Sequence, residues 1–179
     1  MARALFVRFS PKRGGGAKLG AMKWMAPILA ALAGTAALAA GALSPDGIAA
    51  DVAAHGADAV VARLDANGDY DRVLGHIDSG DVRWLALVPK LAPGTDAGTA
   101  EALVIALAFA LPRNPAGVLA LLQGKEAFPA EDVCGAPFIA DTVKDVPAYV
   151  RRARAAVAAV TDPRLAATKA QCLAALAKA

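Results

Sequence analysis

The sequence predicts an all-α fold: a compact bundle of about six to seven short antiparallel helices over residues 40–179, a single helical domain behind an N-terminal signal peptide over 1–39. Three observations carry this. Bulky apolar residues recur at helical spacing, capping residues and prolines stand where such stretches begin, and short Gly/Pro/Asp turns separate them. The composition agrees, since 57% of the 179 residues are hydrophobic with alanine prominent and only 5% are aromatic. Charged residues make up 20% and mean hydropathy is +0.45, which excludes disordered, collagen-like and coiled-coil chains.

The leading segment has a pattern of its own. Arg3, Arg8, Lys12, Arg13, Lys18 and Lys23 precede an uncharged stretch that lasts to Asp46, the layout of a secretory signal. Ala37-Leu38-Ala39 offers a small-x-small site, so cleavage is expected after Ala39, with Ala42 second; a start at Met22 would leave the mature chain unchanged. The alternative is an uncleaved inner-membrane anchor over residues 24–42. No Cys follows the apolar segment, which excludes a lipoprotein, and no Arg-Arg pair precedes it, which disfavours export of the folded protein.

The mature chain then reads as helix after helix. Ser44-Pro45-Asp46 opens a stretch with Ile48, Val52, Val60, Val61 and Leu64, broken or bent at Gly56. The turn Asp65-Ala66-Asn67-Gly68-Asp69 ends it, with Asp69 as cap for the next helix. Tyr70, Val73, Leu74 and Ile77 stand at i, i+3, i+4 and i+7 and predict that helix from Tyr70 to Asp78. Ser79-Gly80 stops it and Asp81 caps another, which carries Val82, Trp84, Leu85, Leu87, Val88 and Leu91 until Pro89 kinks or ends it. Asp96 caps a helix whose run from Ala102 to Leu111 is apolar on every side, the signature of a central element; ten residues are too few to span a bilayer. Asn114-Pro115 opens a short helix with Val118, Leu119, Leu121 and Leu122. Residues 123–145 are expected to be irregular, fastened by Phe128, Val133, Phe138 and Ile139. A hairpin closes the chain: Pro147 to Val160 with Val150, Ala153, Val157 and Val160 inward, then Pro163 to about Lys178 behind the cap Asp162, with Leu165, Cys172, Leu173 and Leu176 inward.

An exported chain meets an oxidising compartment, so Cys134 and Cys172 are expected to form one disulfide enclosing 37 residues. Loop entropy makes such a closure worth roughly 3–4 kcal/mol. A buried reduced pair and a reactive thiol are the alternatives, and the spacing fits neither a Cys-x-x-Cys redox motif nor a zinc site.

Removing the signal reverses the sign of the charge. The whole chain carries +3 with a sequence pI of about 9.0, but six of the 19 basic residues lie in residues 1–23, which leaves 13 against 16 acids beyond them. The mature domain therefore gives no reason to expect nucleic acid. Residues 40–101 hold 10 acids and 4 bases and residues 102–179 hold 6 acids and 9 bases, a polarity that could orient a partner.

Four groups of residues from Tyr70 to Leu122 have a familiar pattern. They are Asp71-Arg72-Val73-Leu74-Gly75-His76-Ile77; Ser79-Gly80-Asp81 with Trp84-Leu85-Ala86; Ala92-Pro93-Gly94-Thr95-Asp96-Ala97 with Glu101; and Ala110-Leu111-Pro112 with Asn114-Pro115 and Val118-Leu119. Together they resemble small uncharacterised exported α-helical proteins of proteobacteria. The resemblance implies a helical fold and export and carries no activity or catalytic residue. The short helices joined at Gly/Pro/Asp turns also resemble one or two units of a HEAT-type array.

Candidate chemistry is sparse. His76 and Ser79, with Asp78 or Asp81 near, could serve a small hydrolase, but no nucleophile elbow surrounds Ser79. Asp51 and His55 stand at i, i+4, a spacing that can share a metal and more simply makes a surface pair. Asp65, Asn67, Asp69 and Asp71 alternate oxygen ligands as a calcium loop does, yet Tyr70 and His76 occupy the positions where an EF-hand wants Gly and Glu. The turn reading needs only Asn67-Gly68. Trp84 and the arginines Arg151, Arg152 and Arg154 are candidate partner contacts; the simpler readings are a core tryptophan and a solvated helix face. No cofactor, metal or catalytic residue is assigned.

The expectation is therefore a non-enzymatic periplasmic or secreted protein that binds an envelope or exported protein, for example as an immunity-type or envelope accessory protein, without nucleic acid and without stable membrane insertion once the signal is cleaved. The alternatives are a small-molecule or calcium-binding module and, behind it, the hydrolase centred on His76.

Overall fold

The structure, a computed structural model, describes residues 43–123, 128–139 and 142–179. The signal expected over 1–39, its cleavage positions and the anchor alternative at 24–42 lie outside the described residues. Among those described the fold is all-α, with no strand. The α-helices are α1 (Pro45–His55), α2 (Ala57–Ala66), α3 (Asp69–Asp78), α4 (Val82–Leu85), α5 (Val88–Leu91), α6 (Ala97–Ala110), α7 (Pro115–Leu122), α8 (Ala130–Cys134), α9 (Val146–Ala158) and α10 (Ala166–Leu176), with 3-10 turns at Ala92–Gly94 and Pro163–Leu165.

The caps do what their chemistry requires. Ser44 accepts from the Gly47 amide, Asp81 from those of Arg83 and Trp84, and Asn114 from that of Gly117. Asp96 and Thr99 exchange side-chain and backbone bonds in a capping box. Gly56, at φ +84°, breaks the first stretch into α1 and α2. Pro89 sits in the first turn of α5, so the stretch expected to kink or end at Pro89 is instead two one-turn helices, α4 closing at Leu85 and α5 running through the proline. Asp69 is corrected: Gly68 holds the cap position of α3, and Asn67 Oδ1 accepts the Asp69 amide at 3.0 Å, because the left-handed glycine carries the chain past a side-chain cap. A second correction lies in the segment read as irregular, where Ala130–Cys134 forms α8. A helix of five residues cannot sustain itself in water; the burial of Val133 and Cys134 holds it.

The core forms around α6, where Leu103, Leu107, Ala108 and Ala110 are fully enclosed. Each buried leucine contributes about 1.5–3 kcal/mol, so packing rather than propensity decides where these short helices settle. Val104, Ile105 and Phe109 are half-buried, so α6 is not covered on all sides. The most extensive packings join α3 to α6 and α8 to α10, elements not adjacent in sequence. That is bundle packing; a repeat array would stack each unit on its neighbour.

The disulfide is formed. Cys134 at the end of α8 bonds Cys172 in α10 across a separation of 38 residues, with the Cα atoms 5.3 Å apart and both side chains buried. Nearby in the chain, Phe138 packs between Phe109 and Tyr149, at centroid distances of 4.8 and 4.6 Å, and fastens this segment to α6 and α9.

Candidate functional site

The outer face of α9 carries three arginines. Asp145 accepts from the Ala148 amide at 2.7 Å and Pro147 lies in the first turn. Tyr149, Val150, Ala153 and Val157 point inward. Helical periodicity then leaves Arg151, Arg152 and Arg154 outward, and all three are exposed. Arg151 and Arg154, three positions apart, are surface neighbours with Cβ atoms roughly 5–6 Å apart. Among the described residues the ion pairs are Arg63–Asp51, Arg72–Asp69, Arg83–Asp46, Arg113–Asp78 and Arg164–Asp162. None of the three α9 arginines takes part.

The helix that carries that face is tied down near both ends. Tyr149 donates its hydroxyl proton to the Ala108 carbonyl at 2.8 Å, deep in the core. Burial pushes the phenol well above its ordinary pKa, with Arg113 and Arg152 opposing. At the other end Lys169 Nζ donates to the carbonyls of Ala158 at 2.6 Å and Val160 at 2.7 Å, so an ammonium satisfies acceptors that a helix C-terminus leaves free. Neither Tyr149 nor Lys169 stands out in the sequence. The partner of each is a backbone carbonyl, and a carbonyl has no residue-type signature.

No protein-family model, curated protein or solved structure matches the chain.

The other candidates are brought into different roles. Trp84 is only 7% exposed and lies in the core, so it is not available as a partner anchor; its ring carries His76, stacked at 4.2 Å and 11° between planes. The hydrolase geometry is not assembled. Ser79 gives its proton to the His76 carbonyl at 2.6 Å, not to the imidazole, and its oxygen accepts from the Asp81 amide at 3.3 Å. Asp81 is spent on the α4 cap, and Asp78 Oδ1 accepts from Arg113 at 2.7 Å. Burial raises the Asp78 pKa, with Arg113 acting against it. These groups clasp the α3–α4 turn to the α6–α7 turn.

Asp51 and His55 likewise diverge, since the His55 ring bonds to the Asp51 carbonyl at 3.2 Å while the Asp51 carboxylate reaches Arg63 at 2.7 Å. In the candidate calcium turn Asn67 is used by the Asp69 amide and Asp69 pairs with Arg72 at 2.8 Å. Among the described residues no three His, Cys, Asp or Glu side chains are gathered closely enough to hold an ion. No described helix is long and apolar enough to cross a membrane. An open cleft of about 930 Å³ runs beside the disulfide, lined by Leu122, Ala130 and Ala175 together with Glu131 and Lys178.

Proposed function

We propose that the chain is an exported, non-enzymatic protein that acts by binding another protein of the cell envelope or exterior, with Arg151, Arg152 and Arg154 as its docking face. The observation that carries this reading is the presentation of three exposed guanidinium groups, unpaired among the described residues, on a helix anchored at both ends. Arginine forks suit carboxylates held in fixed geometry, and a preorganised face loses little entropy on binding. The disulfide is compatible with an oxidising compartment, periplasmic or extracellular. An immunity-type inhibitor is one concrete form of such a protein.

The test compares capture of envelope and exported proteins by the oxidised protein and by a variant with Arg151→Glu, Arg152→Glu and Arg154→Glu. The substitutions are at exposed positions and leave the core untouched. A partner retained by the first and lost by the second is the expected result. Equal recovery of the same proteins by both would move the docking face elsewhere, and recovery of none would count against the binding role.

A further inference from the structure

We infer that the disulfide sets the arginine face: α9 presents its guanidinium groups in fixed geometry only while Cys134 and Cys172 are bonded. This regulation rests on the protein-binding reading above. Cys172 lies on α10 three residues beyond Lys169, and its bond to Cys134 pins α10 against α8. Lys169 in turn holds the last turn of α9 through the Ala158 and Val160 carbonyls. Ala158 follows Arg154 by four residues, one turn along the same face. A continuous path therefore runs from the sulfur pair through one turn of α10 and one ammonium to the arginines.

The disulfide is the one covalent tie on that path, beside the packing of α10 on α8 and α9. α8 has five residues and is kept in place by its burial against α10 and α6. The two sulfurs are fully buried, so a reductant reaches them only when α8 lifts. A small dithiol then supplies two electrons and two protons; the S–S bond breaks, two thiols form, and the dithiol closes to its own disulfide. With the covalent tie gone, α10 is held against α8 and α9 by packing alone, its register loosens, Lys169 leaves the carbonyls, and the end of α9 frays. The arginines stay charged and exposed but lose their preorganisation, which weakens a face whose binding depends on it.

Hydrogen exchange on the full chain tests this without any partner. The oxidised protein is compared with the protein in a dithiol reductant, with the double variant Cys134→Ser and Cys172→Ser, and with Lys169→Met, which keeps the disulfide. Peptides over residues 154–161 should exchange at least about tenfold faster in all three altered forms, while α3 and α6 keep their protection. Unchanged exchange over 154–161 on reduction overturns the inference, as does loss of protection throughout α3 and α6, which would mean global unfolding. Normal exchange in Lys169→Met would overturn the path through the ammonium. Failure to capture a partner with the oxidised protein would instead remove the docking role and leave the exchange result standing.

Discussion

Asn114 joins two turns that lie 34 residues apart: its Nδ2 donates to the Gly80 carbonyl at 2.8 Å while its Oδ1 accepts from the Gly117 amide at 3.0 Å. One side chain thus caps α7 and fastens it to the α3–α4 turn. Arg113 adds to the junction, with Nη1 donating to the Asp78 and Phe109 carbonyls as well as to the Asp78 carboxylate. Gly80 makes the approach possible, because at φ +78° a Cβ there would stand 3.1 Å from those of Arg113 and Asn114.

Substitutions at this junction should be costly although it lies outside the arginine cluster of α9. Asn114→Ala loses a cap and a tertiary hydrogen bond, together about 2 kcal/mol. Asn114→Asp keeps the cap but sets a carboxylate oxygen against the Gly80 carbonyl, so it should cost at least as much as Asn114→Ala. Gly80→Ala should cost at least about 1–2 kcal/mol from the left-handed backbone, with the crowding added. Urea midpoints with unchanged slopes would check all three.

Removing the disulfide by Cys134→Ala with Cys172→Ala should lower stability by roughly 3–4 kcal/mol. Denaturant titration of the double variant beside the oxidised protein measures it. A loss under about 1 kcal/mol would show that the enclosed loop is already restricted in the unfolded chain.

The two tyrosines should resist alkaline ionisation. Burial first raises Tyr70, with Asp65 and Asp96 adding to it, and burial likewise raises Tyr149; their hydroxyls donate to the Thr99 and Ala108 carbonyls. An unfolded chain ionises both near the ordinary value of about 10. Above that pH the folded state holds more protons than the unfolded one, so stability falls as pH rises. Absorbance at the tyrosinate band should stay flat through the ordinary range and then rise together with loss of helical circular dichroism. Separate titration of a folded protein near the ordinary value would contradict the burial of one ring.

Acid should act with two signs. Backbone and side-chain bonds from Thr99 lower Asp96, and bonds from the Arg164 side chain and backbone lower Asp162. Their contribution is present above the ordinary carboxylate range and is lost as pH falls through their depressed values. Asp78 is raised by burial, so it contributes in the opposite sense and its protonation on acidification favours the folded state. Asp96→Asn should therefore flatten the acid limb of a stability profile, whereas Asp78→Asn should leave that limb and remove the gain at its onset.

Much of the local architecture is legible in the residues. Ser44, Asp81, Asp96, Asn114 and Asp162 each accept from an amide two or three positions ahead, an interaction complete within one turn of chain. The cysteine pair is legible by elimination, since the chain holds only two cysteines and each has only the other to bond. Asp69 reads as a cap in the sequence and is not one, because Asn67 and Gly68 compete for the same turn and only backbone geometry settles that contest. The arginine face is legible as a charge cluster, whereas the bonds that tie its helix down are not: those of Tyr149 and Lys169 end on carbonyls that every residue carries.

The sequence by itself determined the helical class, most helix starts, the break at Gly56 and the pairing of the two cysteines, because each arises from interactions spanning a few residues or from a pairing with no competitor. Only the tertiary structure decided that His76 stacks on Trp84, that Asn114 ties α7 to the Gly80 carbonyl, and that α8 forms at all. Those outcomes depend on which distant surfaces come together to bury apolar area, and that selection is made by the chain as a whole.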